Sequence, residues 1–182
     1  MHVLGVDQSL TMTGIAKISA HGSVAVSRIA SAATDPGDLR ATRDRIRMIV
    51  GSVLVFAPAA CLSVIEAPIV MRNGQGGAQL ERAWLFGLLV DQLLLRGPVV
   101  QVRTTTRAMY ATDNGAAKKP EVLAAMRSKF PDLVIRDDNE ADALALACMG
   151  ATYLGSPIDG PTSKKQQQAM TSTVWPPMKE SN

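Results

Sequence analysis

His2-Val3-Leu4-Gly5-Val6-Asp7-Gln8-Ser9-Leu10-Thr11-Met12-Thr13-Gly14-Ile15 is the stretch that decides the architecture of this chain. Val3–Asp7 is an apolar run that reads as a buried strand ending on a carboxylate. Gln8–Thr11 reads as a turn. Thr13–Ser19 and Val24–Ile29 read as the next two strands, with His21-Gly22 turning between them. Three consecutive strands joined by short turns predict an antiparallel meander.

Two further acids stand in similar company. Glu66 closes Leu62-Ser63-Val64-Ile65-Glu66-Ala67-Pro68, and Asp142 lies in Asp137-Asp138-Asn139-Glu140-Ala141-Asp142-Ala143-Leu144-Ala145-Leu146-Ala147. A carboxylate among apolar neighbours is costly to bury unless something pairs with it. Carboxylates brought together from distant parts of a chain are natural ligands for Mg²⁺, a hard cation that takes oxygen. Metal-assisted phosphodiester hydrolysis is therefore the leading chemistry. The plain alternative is three unrelated acids: a turn former, a strand-end surface charge and a helix acid paired with an arginine.

The rest of the chain alternates strands and helices. Asp38 starts a helix to about Phe56, with Leu39, Ile46, Ile49, Val50 and Val53 expected on its core side and Arg40, Arg43 and Arg47 opposite. Cys61–Glu66 is the next strand, followed by a Gly-rich loop over 67–77. Ala78–Arg96 reads as a long apolar helix stopped by Gly97-Pro98, and Val99–Val102 as a fifth strand. Thr104–Ala111 is expected to be a short helix with a Thr cap. Pro120 opens another helix as a first-turn proline. Val134 and Ile135 suggest one more short extended piece. Asp137 fits the N-cap of a last helix running to about Leu154, with Glu140 completing a capping-box pattern. The class is α/β: a mixed central sheet of about five strands, the first three antiparallel, flanked by helices.

The 182 residues suit one domain with a sizeable core, and 47% hydrophobic content excludes wholesale disorder. Residues 1–154 are expected to fold together. From 155 to 182 Ser, Thr, Gln, Lys and Pro dominate and apolar periodicity fades, so a flexible polar tail is expected there. No apolar run is long enough to span a membrane, and no leader pattern opens the chain, so a reducing cytoplasm is expected, the host's if the chain is phage-encoded. Two cysteines without a C-x-x-C pair make a zinc site a poor reading, and two histidines leave little for His-based catalysis. The net charge of +3 is compatible with nucleic acid and proves nothing by itself.

Taken in order, the opening G-V-D-x-S-L-T-x-T-G, the strand ending I-E-A and the helix N-E-A-D-A-L-A-L-A resemble the RuvC-type Holliday junction resolvases of the RNase H-like superfamily. The likeness runs from about residue 1 to 154. It implies an RNase H-like fold and a crossover-junction endodeoxyribonuclease with Asp7, Glu66 and Asp142 as catalytic metal ligands. It also implies two Mg²⁺ ions per site (Mn²⁺ as substitute), with branched DNA as substrate: four-way junctions, with flaps and forks as further candidates. A homodimer is implied as well, one protomer for each strand to be cut. The apolar residues of Ala78–Arg96, Leu80, Trp84, Leu85, Leu88, Val90, Leu94 and Leu95, occupy more than one stripe, as in a helix shared between subunits or buried all round.

Some positions depart from the family pattern. A second acid or a His usually stands three residues before the helical Asp; here it is Asn139, with Asp138 one step further back. Both lie within about 60° of Asp142 around the helix, so either could be the fourth ligand. The family's lysines match Arg107 and Lys119, with Lys119 the better fit as the catalytic cation. Arg103 and Lys118 join these two as expected DNA contacts. Ile69 replaces the aromatic that stacks on bases at the junction, and Arg72, Asn73 and Gln75 in the same loop are further expected DNA contacts. Two other readings compete: an actin/sugar-kinase-like nucleotide-binding module, which would leave Glu66 and Asp142 unexplained, and a non-catalytic DNA-structure binder of the same fold.

Overall fold

The computed structural model describes residues 1–35, 37–68 and 78–177. Five strands, β1 (His2–Asp7), β2 (Met12–Ile18), β3 (Val24–Ala30), β4 (Cys61–Glu66) and β5 (Val99–Val102), form one sheet in the order β3-β2-β1-β4-β5. β1 and β2 pair antiparallel, as do β2 and β3; β1 and β4, and β4 and β5, pair parallel. The predicted meander is present, and β1 is the central strand.

Alternation along the strands divides the core into two layers. Leu4, Val6, Ile15 and Ile65 pack under α1 (Leu39–Phe56) and α2 (Gln79–Leu94). Val3, Ala16, Ile18, Leu62 and Val64 pack under the opposite layer, built from α3 (Thr104–Thr112), α4 (Lys119–Lys129), α5 (Asp138–Tyr153) and α6 (Lys164–Thr171). Asp7 shares the parity of Val3 and Gly5, and Glu66 that of Leu62 and Val64. The strand period and the packing of these residues thus put both acids on the α5 side, at the C-terminal ends of neighbouring parallel strands.

α5 is the helix that matters most. Every residue from Glu140 to Ala151 is buried, because the sheet lies below it and α3 and α4 flank it. Its small residues bring its backbone onto the sheet. A Cβ on Gly5 would lie 2.0 Å from the Ala143 carbonyl oxygen, and one on Gly14 1.9 Å from that of Asn139. Both glycines are required by this close approach. Gly14 pairs with Asp7 in one ladder and with Arg28 in the next. Arg28 in turn reaches Asp137 at 2.5 Å, the residue that caps α5 by accepting from the Glu140 amide. The first turn of α5 is therefore pinned over the end of β1.

Several local expectations are corrected. Leu39 is 68% exposed, since it occupies the first turn of α1, outside the stripe of Ile46, Ile49, Val50 and Val53. α3 carries no side-chain cap; Arg103 is its N-cap residue and the Thr104 hydroxyl is used elsewhere. Val134 and Ile135 form no strand. Asp137 caps α5 as expected, but the Glu140 carboxylate accepts from the Arg136 amide instead of closing a capping box on Asp137.

The expected flexible tail is the larger correction. Residues 155–177 pack on α3 through α6, which Ser163 caps, and return to the end of α5 at Trp175. Ala169 is fully buried, and Trp175 stacks on Tyr153 with ring centroids 4.6 Å apart. Beneath them the Asp159 carboxylate is 1% exposed and accepts from Tyr110, Gln166 and Lys129. Composition suggested disorder because most of the segment is polar; a few apolar anchors and one buried carboxylate hold it.

Candidate active site

Asp7, Glu66 and Asp142 meet at the end of the sheet. Their charges act on one another: Asp7 is pushed up to about 8, first by burial and then by the repulsion of Glu66 and Asp142. Burial likewise raises Asp142, to about 7, against the attraction of Arg107 and with the repulsion of Glu66 added. Both are carboxylates whose ionised form lacks sufficient positive charge nearby.

One cation is built in. Arg107, only 3% exposed, turns inward from the first turn of α3, and its Nη1 donates to Glu66 Oε2. The same nitrogen lies 2.7 Å from Asp142 Oδ2. That second contact is an ion pair by distance without hydrogen-bond alignment, and both Asp142 oxygens are buried with no donor. The other Glu66 oxygen accepts from the Thr104 hydroxyl at 2.7 Å, and the Glu66 carbonyl accepts from Gln8 at 2.6 Å. Glu66 is thus held at both ends by protein groups.

Lys119, at the start of α4, forms an ion pair with Asp138 at 2.5 Å. Its side chain is 59% exposed. Burial would lower its pKa, but Asp138, Asp7 and Asp142 together raise it, which puts its ammonium within electrostatic reach of the cluster. Asn139 is half-buried in the first turn of α5. Arg103 and Lys118 are exposed beside the site's elements. Arg107, expected as a DNA contact, is instead enclosed by the acids. Ile69, Arg72, Asn73 and Gln75 lie outside the described residues.

The sequence reading missed two features. Thr104 reads as a cap because a Thr before an apolar run usually is one; here its hydroxyl holds Glu66. Arg82, in the first turn of α2, lines a cleft of about 220 Å³ with Gln8, Ser9, Glu66, Ala67, Pro68 and Leu85. A basic residue just after a Gly-rich loop was the available signal.

A divalent ion fits this donor set. Buried carboxylate oxygens without donors, in a cluster of uncompensated negative charge, are what a hard oxygen-binding cation would satisfy. Among the described residues, though, no group of three or more His, Cys, Asp or Glu side chains is arranged to hold an ion as it stands. Arg107 occupies the space between Glu66 and Asp142.

The mixed five-stranded sheet, with an acid on its central strand and another brought by the helix lying on it, is an architecture that the chain shares with solved RuvC structures. The chain superposes on the Thermus thermophilus RuvC structure with a TM-score of 0.60 at 21% identity, over 86% of this chain and 98% of that one. It superposes on T. thermophilus RuvC in complex with Holliday junction substrate with a TM-score of 0.60 at 17% identity, covering 86% and 97%. In sequence it is similar to the crossover junction endodeoxyribonuclease RuvC of Methylorubrum extorquens strain PA1, 26% identical over 159 residues, 86% of this chain and 82% of the relative. The RuvC of Methylorubrum populi is 27% identical over 157 residues, with 86% of this chain and 82% of the relative covered. No protein-family model matches the chain. The resemblance carried by the three motifs thus extends over most of the molecule.

Proposed function

We propose that this chain is a structure-selective endonuclease that hydrolyses phosphodiesters in four-way DNA junctions, and in other branched DNA, with Mg²⁺ or Mn²⁺. The observation that carries this reading is the convergence of Asp7, Glu66 and Asp142, from three distant segments, at the end of a RuvC-like sheet. Three buried acids are only partly offset by the one guanidinium among them, which leaves a charge that a further cation would relieve.

Asp7 and Asp142 are the carboxylates available to hold the ion, and Glu66 completes the acidic wall. An ion held by these residues would supply Lewis-acid activation of a water and positive charge to offset the scissile phosphate. Hydrolysis joins the water oxygen to phosphorus and breaks one P–O ester bond, leaving a phosphate monoester and a hydroxyl. Lys119 faces outward from the cluster and supplies positive charge to the phosphate. Arg82 in the cleft wall, and the exposed Arg103 and Lys118 at the starts of α3 and α4, are the further basic residues proposed to contact the DNA backbone. The loop residues Ile69, Arg72, Asn73 and Gln75 remain proposed contacts at the branch point. The nuclease unit is residues 1–154, with 155–177 as a strap that steadies α3 and α5.

Two protomers are needed to cut two strands of a symmetric junction. Leu80, Trp84, Leu94 and Leu95 form an exposed apolar face on α2, opposite the buried Leu85, Leu89 and Leu93. That face supports self-pairing through α2. Leu88, expected at the interface, is half-buried and lines a groove with Arg43, Arg47 and Trp84. Among the described residues no helix is long and apolar enough to cross a membrane. Access to DNA places the proposed activity in the cytoplasm.

The test is a synthetic four-way junction incubated with the protein and Mg²⁺, beside an EDTA control and a linear duplex of the same sequence. Paired incisions near the branch that require the ion are expected. Intact junction under all conditions overturns the nuclease reading, and binding without cutting favours a non-catalytic binder.

A further inference from the structure

We propose that Arg107 is a resident cation of the acidic site and limits each protomer to one bound divalent ion, where the family resemblance implies two. The inference deepens the nuclease reading and rests on it. Four observations support it. The Arg107 guanidinium is buried and contacts both Glu66 Oε2 and Asp142 Oδ2 through a single nitrogen. Glu66 has no free oxygen, since Thr104 holds Oε1 and Arg107 holds Oε2. The position expected to carry a fourth acid is Asn139, which is neutral, and the alternative acid, Asp138, is paired with Lys119 at 2.5 Å. The only buried carboxylate oxygens without a donor, among the described residues, are the two of Asp142.

Charge counting agrees. Three carboxylates and one guanidinium leave two net negative charges, the charge of one divalent ion. A second ion would stand against the guanidinium at short range in a buried site, where repulsion is poorly screened. The charges therefore favour one ion, which Asp7 and Asp142 would hold, with Glu66 serving as the counter-ion of Arg107. A guanidinium is never deprotonated under working conditions, so this cation is permanent. It also carries donors that a bare ion lacks, and a phosphate oxygen drawn into the site would meet them.

The measurement is the number of Mn²⁺ ions bound by the full-length, metal-free protein without DNA, by electron paramagnetic resonance of free Mn²⁺ and by calorimetry. One ion per protomer is expected for the wild type. Arg107→Met should admit a second ion or tighten the first at least tenfold, whereas Asn139→Asp, which keeps Arg107, should stay at one. Two ions in the wild type, or none, overturn the proposal. So does Arg107→Met binding one ion with unchanged affinity, or Asn139→Asp binding two, because the missing acid would then set the count. If Arg107→Met does not fold, the wild-type and Asn139→Asp counts still decide. The nuclease reading is judged separately by junction cutting: one ion with no cutting sinks that reading alone, and cutting with two ions sinks this one alone.

Discussion

Gly14 lies directly beneath Asn139: a methyl group at Gly14 would stand 1.9 Å from the Asn139 carbonyl oxygen. Gly14 is also the ladder partner of Asp7. The same glycine that neighbours the strand acid therefore lets the first turn of α5 descend, and Asp142 follows one turn later. Gly14→Ala should lift this turn and separate Asp142 from Asp7. A loss of roughly 1–3 kcal/mol is expected from the overpacking, together with a larger fall in cleavage than in junction binding. Gly51→Ala, in an open position on α1, should instead stabilise by about 0.5–1 kcal/mol. Denaturant melts and cleavage rates of the two variants make the comparison.

Asp7→Asn and Asp142→Asn should each lower cleavage by about 10²-fold or more while leaving junction affinity within twofold, because electrostatic stabilisation at the reacting phosphate is lost and the outer basic contacts remain. Both variants should also melt higher than the wild type in EDTA at pH 8.5, since each removes a poorly compensated buried charge. Normal cutting by either would remove that acid from the site.

The pH dependence follows from the same two groups. Their folded pKa values, about 8 and about 7, lie above the ordinary 3.8, so between these limits the folded state holds protons that the unfolded chain has released. Stability of the metal-free protein should therefore fall as pH rises from about 4 to about 8. Mn²⁺ must displace those protons, so its affinity should climb over the same range and its presence should flatten the melting profile. Thermal melts at pH 5.5 and 8.5, with EDTA and with Mn²⁺, test the sign. A metal-free protein that gains stability with pH would show that the acids are compensated by other groups.

Lys119→Ala should slow the cutting of bound junction more than it weakens binding, since the ammonium is close enough to sense Asp7 and Asp142. The cleaner comparison is Lys118→Ala, an exposed neighbour that should affect affinity and its salt dependence alone. Single-turnover rates beside equilibrium binding at two salt concentrations separate the two roles.

Asp159→Ala should destabilise the fold by on the order of 3 kcal/mol, because Lys129, Tyr110 and Gln166 would lose their shared acceptor. Hydrogen exchange in α6 and α3 should rise together. Unchanged stability would mean that residues 155–177 are held by the Tyr153–Trp175 stack and the buried Ala169 without the carboxylate.

The hydrophobic pattern and turn residues were sufficient for the five strands, the order of α1 to α5 and the three acids, but not for α6, because strand alternation and helix periodicity are local properties that neighbours along the chain express. Parity within each strand, combined with the pairing of β1 and β4, puts Asp7 and Glu66 on one face. What local pattern does not carry is which way a long side chain turns once the layers close. Arg107 reads as a solvent-facing DNA contact in the sequence, yet it is drawn inward because two carboxylates from β4 and α5 are brought beside it. Thr104 reads as a helix cap and becomes a donor to Glu66 for the same reason. The strap over 155–177 looked disordered because its anchors, Asp159, Ala169 and Trp175, are sparse in sequence, and their partners lie on α3, α4 and α5. Residues determine elements through short-range sterics and periodicity; the charges of this site find their partners only through the packing of α5 onto Gly5 and Gly14.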